Sequence, residues 1–484
     1  MISRFNKFSD WGLTRAKARD YELGDTFRHA RSRGLQPAFG ENGQSARISA
    51  QLDKSIAAGL LATIVFTAVA HGAVEPWSVA LFELIIVGLL LLWGIKAMLD
   101  RRLEVTIPAA ALPVAALLLL GSAQSVALTG GAGETSSLSM DVEATRHALI
   151  VLFFLAASFI IAASFFVSRE RLWLLANVLT VFGALVAGFA LIQYFTWNGR
   201  FYWLRATRYS VFGPFVNHNH FAGYMAMLMP VPLGLMLRAV RGPVQLLYGF
   251  VTVLMGTATI MSGSRSGVIS LVAALGLMAV LNRRSRRPMD DQLPTKRFVF
   301  WRAWPIAVVT LAMIAGVVWI GATPIIERFG GAVDQLLRSG TPDVSRATMW
   351  NETIKIIRDH PILGTGLGTY HTVYPSYATT ENLFGLDYAH NDYLQILADG
   401  GAVGGVIAAW FIIVIFSNVY RGLQSRDPLF AGLALAGGAG IFAVLVQSLS
   451  DTNLQIPSNA LLFLVLSGVV SRVGARDGNP RPDS

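Results

Sequence analysis

His390 is the residue best suited to moving a proton. It stands in "AHNDYLQILADGG" (389–401), where a long hydrophilic stretch enters an apolar one, beside Asp387 and Asp392. An imidazole with an ordinary pKa of about 6.5 can take a proton from an attacking hydroxyl near neutrality. With Tyr393, Leu394 and Leu397 it shares one helical face, which sets it at the mouth of a helix bundle. The plain alternative is a helix-start histidine satisfied by its neighbours. Two arginines point to an anion. Arg346, in "DVSRATMW", falls in the first turn of a helix that Asp343 or Ser345 would cap. A cation there opposes the helix dipole by roughly 0.3–1 kcal/mol unless an anion binds with it, so the placement favours phosphate. A surface pair with Glu352 or Asp343 is its structural alternative. Arg265 is the sole charge in the tight turn "SGSRSG" (262–267). The small residues there let backbone donors approach an anion beside the guanidinium, although a snorkelling interfacial arginine would look the same.

Two further polar clusters accompany these. "FGPFVNHNHFAGY" (212–224) follows Arg205 and Arg208, and "SLSDTNLQIPSN" (448–459) contributes Asp451 and Asn453. Arg208, Asn217, Asn219, His220 and Asp451 are candidates to bind substrate; Asn217 or Asn219 equally suits a helix cap. His218 and His220 form a His-x-His pair, but residues two apart diverge on a helix and neither a carboxylate nor a cysteine accompanies them, so no metal site is expected. "GTGLG" (364–368) is a turn signal without the strand-to-helix context of a dinucleotide site.

The elements that must hold these groups are membrane spans. Of 484 residues, 54% are hydrophobic and 14% charged, with 46 glycines, too little polar surface to clothe three soluble cores. Zero cysteines exclude disulfides, thiol nucleophiles and cysteine-based metal centres. A helix needs about 20 apolar residues to cross the hydrocarbon. Eleven charge-free windows qualify: 55–74, 105–133, 147–168, 172–199, 209–237, 242–264, 266–282, 303–326, 400–420, 428–450 and 452–471. A twelfth, 77–99, carries only Glu83 and Lys96. The sequence therefore predicts an all-α polytopic membrane protein of about twelve spans. Residues 1–54 form a basic tail, expected to be disordered and without a cleavable signal; spans one to nine occupy 55–326. A large loop at 327–389 carries short helices, among them an amphipathic one from Asp343 to the stop at Pro361; spans ten to twelve occupy 390–472, and 473–484 is a second tail. With both termini cytoplasmic, 29 Lys and Arg fall inside against 10 outside. The run Arg283, Arg284, Arg286 and Arg287 reads as a topology anchor beside anionic lipid rather than a nucleic-acid site. All the clusters above then face the external side.

In this order, "GPFVNHNHFAGY", "SRSG", "SRATMW…HPILGTGLGTY", "AHNDYLQ…GG" and "DTNLQIPSN" resemble the bacterial O-antigen ligase and O-antigen polymerase superfamily, over nearly everything after the tail. The resemblance implies an inner-membrane glycosyltransferase of lipopolysaccharide or exopolysaccharide biosynthesis. Such an enzyme moves a glycan from undecaprenyl diphosphate to lipid A core or to another glycan at the periplasmic face, without a cofactor. It matches His390 to the family's essential histidine, Arg346 to the arginine earlier in the large loop and Arg265 to that of the short turn; His218 stands where proline or a basic residue is expected. The residue types agree with that chemistry. Arginines stabilise charge on a departing diphosphate, histidine takes the acceptor proton, and no paired carboxylates of the glycosidase kind are evident, so single displacement with inversion is the simpler scheme. A transporter or lipid-linked glycan flippase explains twelve spans equally well, but calls for midplane charges or broken helices in corresponding halves. A structural scaffold would need no external arginine–histidine set.

Overall fold

In the computed structural model the described residues are 39–129, 135–206, 211–284, 296–320, 346–379 and 387–476. The chain divides into residues 1–44 and 45–484, and the helix bundle belongs to the second unit. Apolar windows become helices because a bilayer leaves backbone polar groups no partner except one another. In chain order these are α1 (Phe39–Val69), α2 (Pro76–Asp100), α3 (Ala111–Gln124), α4 (Val142–Phe165), α5 (Arg169–Phe195), α6 (His218–Leu228), α7 (Pro230–Arg238), α8 (Val244–Met261), α9 (Arg265–Arg284) and α10 (Lys296–Ile320). In the large loop lie α11 (Arg346–Asp359) and the short α12 (Tyr370–Val373), followed by α13 (Asp392–Leu423), α14 (Pro428–Gln447) and α15 (Pro457–Arg476). The only strands among the described residues are two small antiparallel ribbons, Ala127–Thr129 with Thr135–Ser137 and Arg200–Phe201 with Arg205–Ala206. The protein is an all-α polytopic membrane protein.

Ten of these segments are long and apolar enough to cross a membrane, and α3 and the Trp304–Gly316 part of α10 are shorter apolar helices. Together they coincide with the twelve windows of the sequence. Two details differ. The 209–237 window is two helices meeting at Met229, because Pro230 and Pro232 withhold backbone donors. The first helix also begins well before its apolar window, at Phe39, inside the stretch expected to be tail. Polar contacts hold that extension: Ser49 donates to Asp100 at 2.9 Å, and Asp53 accepts from Arg171 at 2.9 Å and pairs with Lys96 at 3.5 Å.

The α6–α7 pair, α14 and α15 form the centre. Between 83% and 89% of their most apolar windows is buried, against 50% or less for the other spanning helices. Small residues set this closeness. A Cβ on Gly440 would lie 2.6 Å from the Met227 carbonyl oxygen, and one on Gly234 would lie 2.7 Å from that of Gly432. Packing of this kind replaces the hydrophobic drive that lipid cannot supply. It also brings the start of α6 beside the 448–456 loop that joins α14 to α15.

A second device fixes the large loop. The α13 helix is broken at Gly401, whose φ of 61° and ψ of −160° are not helical. The groups that the break releases are taken up by residues 361–369. Thr365 and Gly366 donate backbone N–H groups to the carbonyls of Ala398 and Asp399, at 2.9 and 3.0 Å. Ala402 and Val403 donate to the carbonyls of Pro361 and Ile362, at 2.8 and 3.1 Å. From α3, Gln124 donates to the Leu363 and Asp399 carbonyls and accepts from the N–H of Leu367. Asp399 accepts from Gly368 N–H at 3.1 Å and from Gln395 at 3.0 Å. Approach this close requires glycine at Gly364, where a Cβ would meet the Asp399 backbone at 2.4 Å.

Gly401→Ala is therefore expected to lower the thermal unfolding midpoint of the detergent-purified protein markedly. The left-handed φ alone costs about 1–2 kcal/mol, and a Cβ would lie 2.3 Å from the Ile362 carbonyl. Gly94→Ala, in helical α2 with nothing within 4 Å of the added carbon, should change stability by no more than about 1 kcal/mol. Equal midpoints for the two variants would contradict this account of the break.

Candidate active site

His390 is presented by the chain just ahead of α13, not on the helix face expected from its spacing. Asn391 is the cap, its side-chain oxygen accepting from the N–H groups of Tyr393 and Leu394 at 3.0 and 3.1 Å. Its amide also donates to the Leu449 carbonyl at 3.0 Å. On the other side, Ala389 donates its N–H to Gln395 at 2.8 Å and accepts from the Trp350 indole at 3.2 Å. Held at both neighbours, His390 adopts a left-handed φ of 46°. Its side chain, about a third exposed, sets Nδ1 3.4 Å from Oδ1 of Asp451. Nε2 is the ring nitrogen that Asp451 does not engage.

The carboxylate beside His390 is thus Asp451, 61 residues away, rather than its near neighbours Asp387 and Asp392. Asp392 turns inward, accepting from the Ser448 hydroxyl at 2.6 Å and from Leu454 N–H at 3.2 Å. It thereby ties the start of α13 to the loop that carries Asp451. Asp451 is fully buried and accepts from Thr452 N–H at 2.9 Å. Burial pushes its carboxyl up, but the hydrogen bond with His390 and the charges of His220 and His390 outweigh this and hold it below the ordinary carboxylate range.

Arg346 opens α11 and is the third member of the group, with Nη2 4.0 Å from Oδ2 of Asp451. The alternative pair with Glu352 is not formed. Glu352 is buried and accepts from Tyr374 at 2.5 Å and from the N–H and hydroxyl of Thr379 at 2.7 and 2.6 Å. Burial works against its charge as well, and these bonds overcome it, leaving the carboxyl below its usual value. The helix buries Met349, Glu352, Thr353 and Ile356, so its inner face is partly polar. Asp343 and Ser345, the expected caps, lie outside the described residues.

From α6, half-buried His220 lies within electrostatic reach of Asp451, His390 and His218. Its Nε2 and the Oδ2 of Asp451 have no hydrogen-bond partner. Asn459 holds the His220 carbonyl at 3.1 Å, and Gln447 holds that of Asn219 at 2.9 Å. Asn217 caps α6 through the N–H of Asn219, the structural role the sequence left open. Arg265 is exposed at the first position of α9, where the Ser264 hydroxyl accepts from Gly267 N–H at 3.1 Å. A Cβ on Gly267 would lie 2.5 Å from that of Ala222, so packing of α9 on α6 brings Arg265 to the same end of the bundle. Arg208 lies outside the described residues. Among those described, no group of three or more His, Asp or Glu is arranged to hold a metal ion.

Residues 250–409 match the family model described as O-antigen ligase. This match supports the O-antigen ligase and polymerase superfamily for the chain. No curated protein matches the chain. The matched stretch contains Arg265, Arg346 and His390, whereas Asp451 and His220 reach the group from outside it. In general terms, an O-antigen ligase or polymerase-like, glycosyltransferase-like enzyme of multi-pass membrane type is supported.

The sequence did not single out Gln124, Gln395, Gln447 or Asn459, which hold the backbone around the site. For Gln124, Gln447 and Asn459 the signal is an uncharged amide inside an otherwise apolar window, which a search for charge passes over; Gln395 stands between Asp392 and Asp399.

The depressed carboxyls of Asp451 and Glu352 have a definite pH signature. Each contributes stability that is fully present above the unfolded-state pKa of about 4 and is lost as pH falls through the lower folded value. The stability gap between wild type and Asp451→Asn should accordingly be largest above about pH 5 and narrow below pH 4. Thermal unfolding across that range checks it; a gap that widens on acidification would show that the carboxyl is raised instead.

Proposed function

We propose that the protein is an inner-membrane glycosyltransferase that moves a glycan from an undecaprenyl-diphosphate carrier to an acceptor hydroxyl, on lipid A core or a growing surface polysaccharide, at the periplasmic face. The observation that carries this reading is the convergence of His390, Asp451 and Arg346 at one end of the bundle, with the first and last of these in the O-antigen ligase stretch.

In this reading Nε2 of His390 removes the proton from the acceptor hydroxyl as it attacks the anomeric carbon. Asp451, bonded to Nδ1, fixes the ring and stabilises the imidazolium that forms, which general-base catalysis requires. The bond from the anomeric carbon to the diphosphate oxygen breaks as the new glycosidic bond forms, inverting the centre. Arg346 and Arg265 bind the carrier diphosphate and take up the charge that develops on it, where a water-poor cleft makes each interaction stronger than in solution. Arg208, Asn217, Asn219 and His220 are proposed to line the substrate site. The reaction needs no metal, because guanidinium groups supply the charge that a divalent ion would otherwise provide. Both termini are cytoplasmic, and polyprenyl is received between the spans.

Two substitutions separate the roles. His390→Ala should reduce turnover by about 10²–10⁴-fold with little change in donor binding. Arg346→Lys keeps a charge but loses the planar fork, and should weaken donor binding and turnover together. Transfer assays with a lipid-diphosphate donor, on variants shown to accumulate in the membrane, decide this; near-normal transfer by His390→Ala would end the assignment.

Orientation is tested separately. The chain has no native cysteine, so Leu204→Cys, at a side chain 79% exposed, should react with an impermeant maleimide in intact spheroplasts. Labelling only after lysis would invert the proposed topology.

A further inference from the structure

Behind His390, buried polar atoms without a hydrogen-bond partner gather. Among the described residues they include Nε2 of His220, Oδ1 of Asp392, Oε1 of Gln447, Oδ2 of Asp451 and Nδ2 of Asn453. These belong to the start of α6, the start of α13, and the end of α14 with the connection that follows it. Packing makes them neighbours. Gln447 and Asn459 hold the carbonyls of Asn219 and His220, and a Cβ on Gly223 would lie 2.3 Å from Oδ1 of Asn453. Native proteins leave few such atoms, so a group of them calls for an explanation beyond stability.

Asp451 has one oxygen committed and one open. Oδ1 faces Nδ1 of His390 at 3.4 Å and accepts from Thr452 N–H at 2.9 Å. Oδ2 is 4.0 Å from the Arg346 guanidinium, beyond hydrogen-bond distance. His220 is the second imidazole within electrostatic reach of this carboxylate. A neutral imidazole carries one N–H, so Nε2 can offer a donor to a carboxylate oxygen. A donor on Oδ2 stabilises the carboxylate and lessens what it gains by pairing with the His390 imidazolium.

We propose that His220 is a positioning residue that acts on His390 through Asp451, its Nε2–H engaging Oδ2 while Oδ1 holds the other ring. Hydrogen bonds of this kind are often long before substrate binds and tighten in the transition state. His220 thereby keeps His390 from holding its proton too firmly, so that the ring is free to act as a base near neutrality. The proposal deepens the transferase reading and rests on it for the work that His390 does. The ionisable groups around the Asp451–His390 pair are Arg346 from α11, His218 and His220 from α6, and Asp387 and Asp392 beside His390 in sequence, with Arg265 at the same end of the bundle. Variants at His220 alone keep all the others.

The test reads the His390 ring directly. Diethyl pyrocarbonate acylates an unprotonated imidazole. Its rate at His390, followed across pH by peptide mass spectrometry of the detergent-purified full-length protein, gives the pH at which the ring loses its proton. His220→Leu should move that midpoint up by about one pH unit, and the acid limb of kcat/KM for transfer should follow it. His220→Gln, which keeps an N–H donor, should show the wild-type midpoint. In Asp451→Asn the midpoint should fall, and adding His220→Leu should change it no further. An unmoved midpoint in His220→Leu, an equal rise in His220→Gln, or a rise that persists on the Asp451→Asn background would each overturn the proposal. Wild-type protein that transfers nothing from a lipid-diphosphate donor would instead overturn the transferase reading, while the acylation profile still decides the role of His220.

Discussion

A helix broken at a membrane surface leaves carbonyls without donors and N–H groups without acceptors, and each costs several kcal/mol if lipid surrounds it. The break at Gly401 releases such groups, and the Pro361–Thr369 segment satisfies them with four backbone hydrogen bonds, two in each direction. The large loop is thereby stitched into the spanning region instead of resting on it. Both α11, which carries Arg346, and the chain leading into α13, which carries His390, hang from this junction. A shift in the junction would displace a guanidinium and an imidazole together.

Burial of Asp451 obeys the same constraint. A carboxylate with no exposure is tolerated only if cationic or donor groups compensate it. Here the partners are His390 ahead of α13, Arg346 at the start of α11 and the N–H of Thr452, with His220 on α6 within electrostatic reach. The acid is thus the point at which loop, central helices and terminal helices are held in register. Asp392 has a complementary role, since its bonds to Ser448 and Leu454 brace the loop on which Asp451 sits.

The spans were legible because charge-free windows and membrane thickness are one-dimensional facts, and each of the twelve windows meets an apolar helix. His390, Arg346 and Asp451 were also singled out, each by its type at a polar edge. Their pairing was not legible. Sequence proximity favoured Asp387 and Asp392 for the histidine and Glu352 for the arginine, whereas helix packing delivers Asp451 to both. The stitched break was hidden for a similar reason. "GTGLG" announces a turn, but nothing in it says that its N–H groups will complete another helix 33 residues later.

The left-handed backbone of His390 carries an implication for how this position is maintained. A φ of 46° suits glycine, and any other residue there accepts about 1–2 kcal/mol of conformational cost. The hydrogen bond between the imidazole and buried Asp451 works against that cost, because removing it would leave a buried carboxylate less compensated. Backbone strain and side-chain pairing are therefore set against each other at this one position.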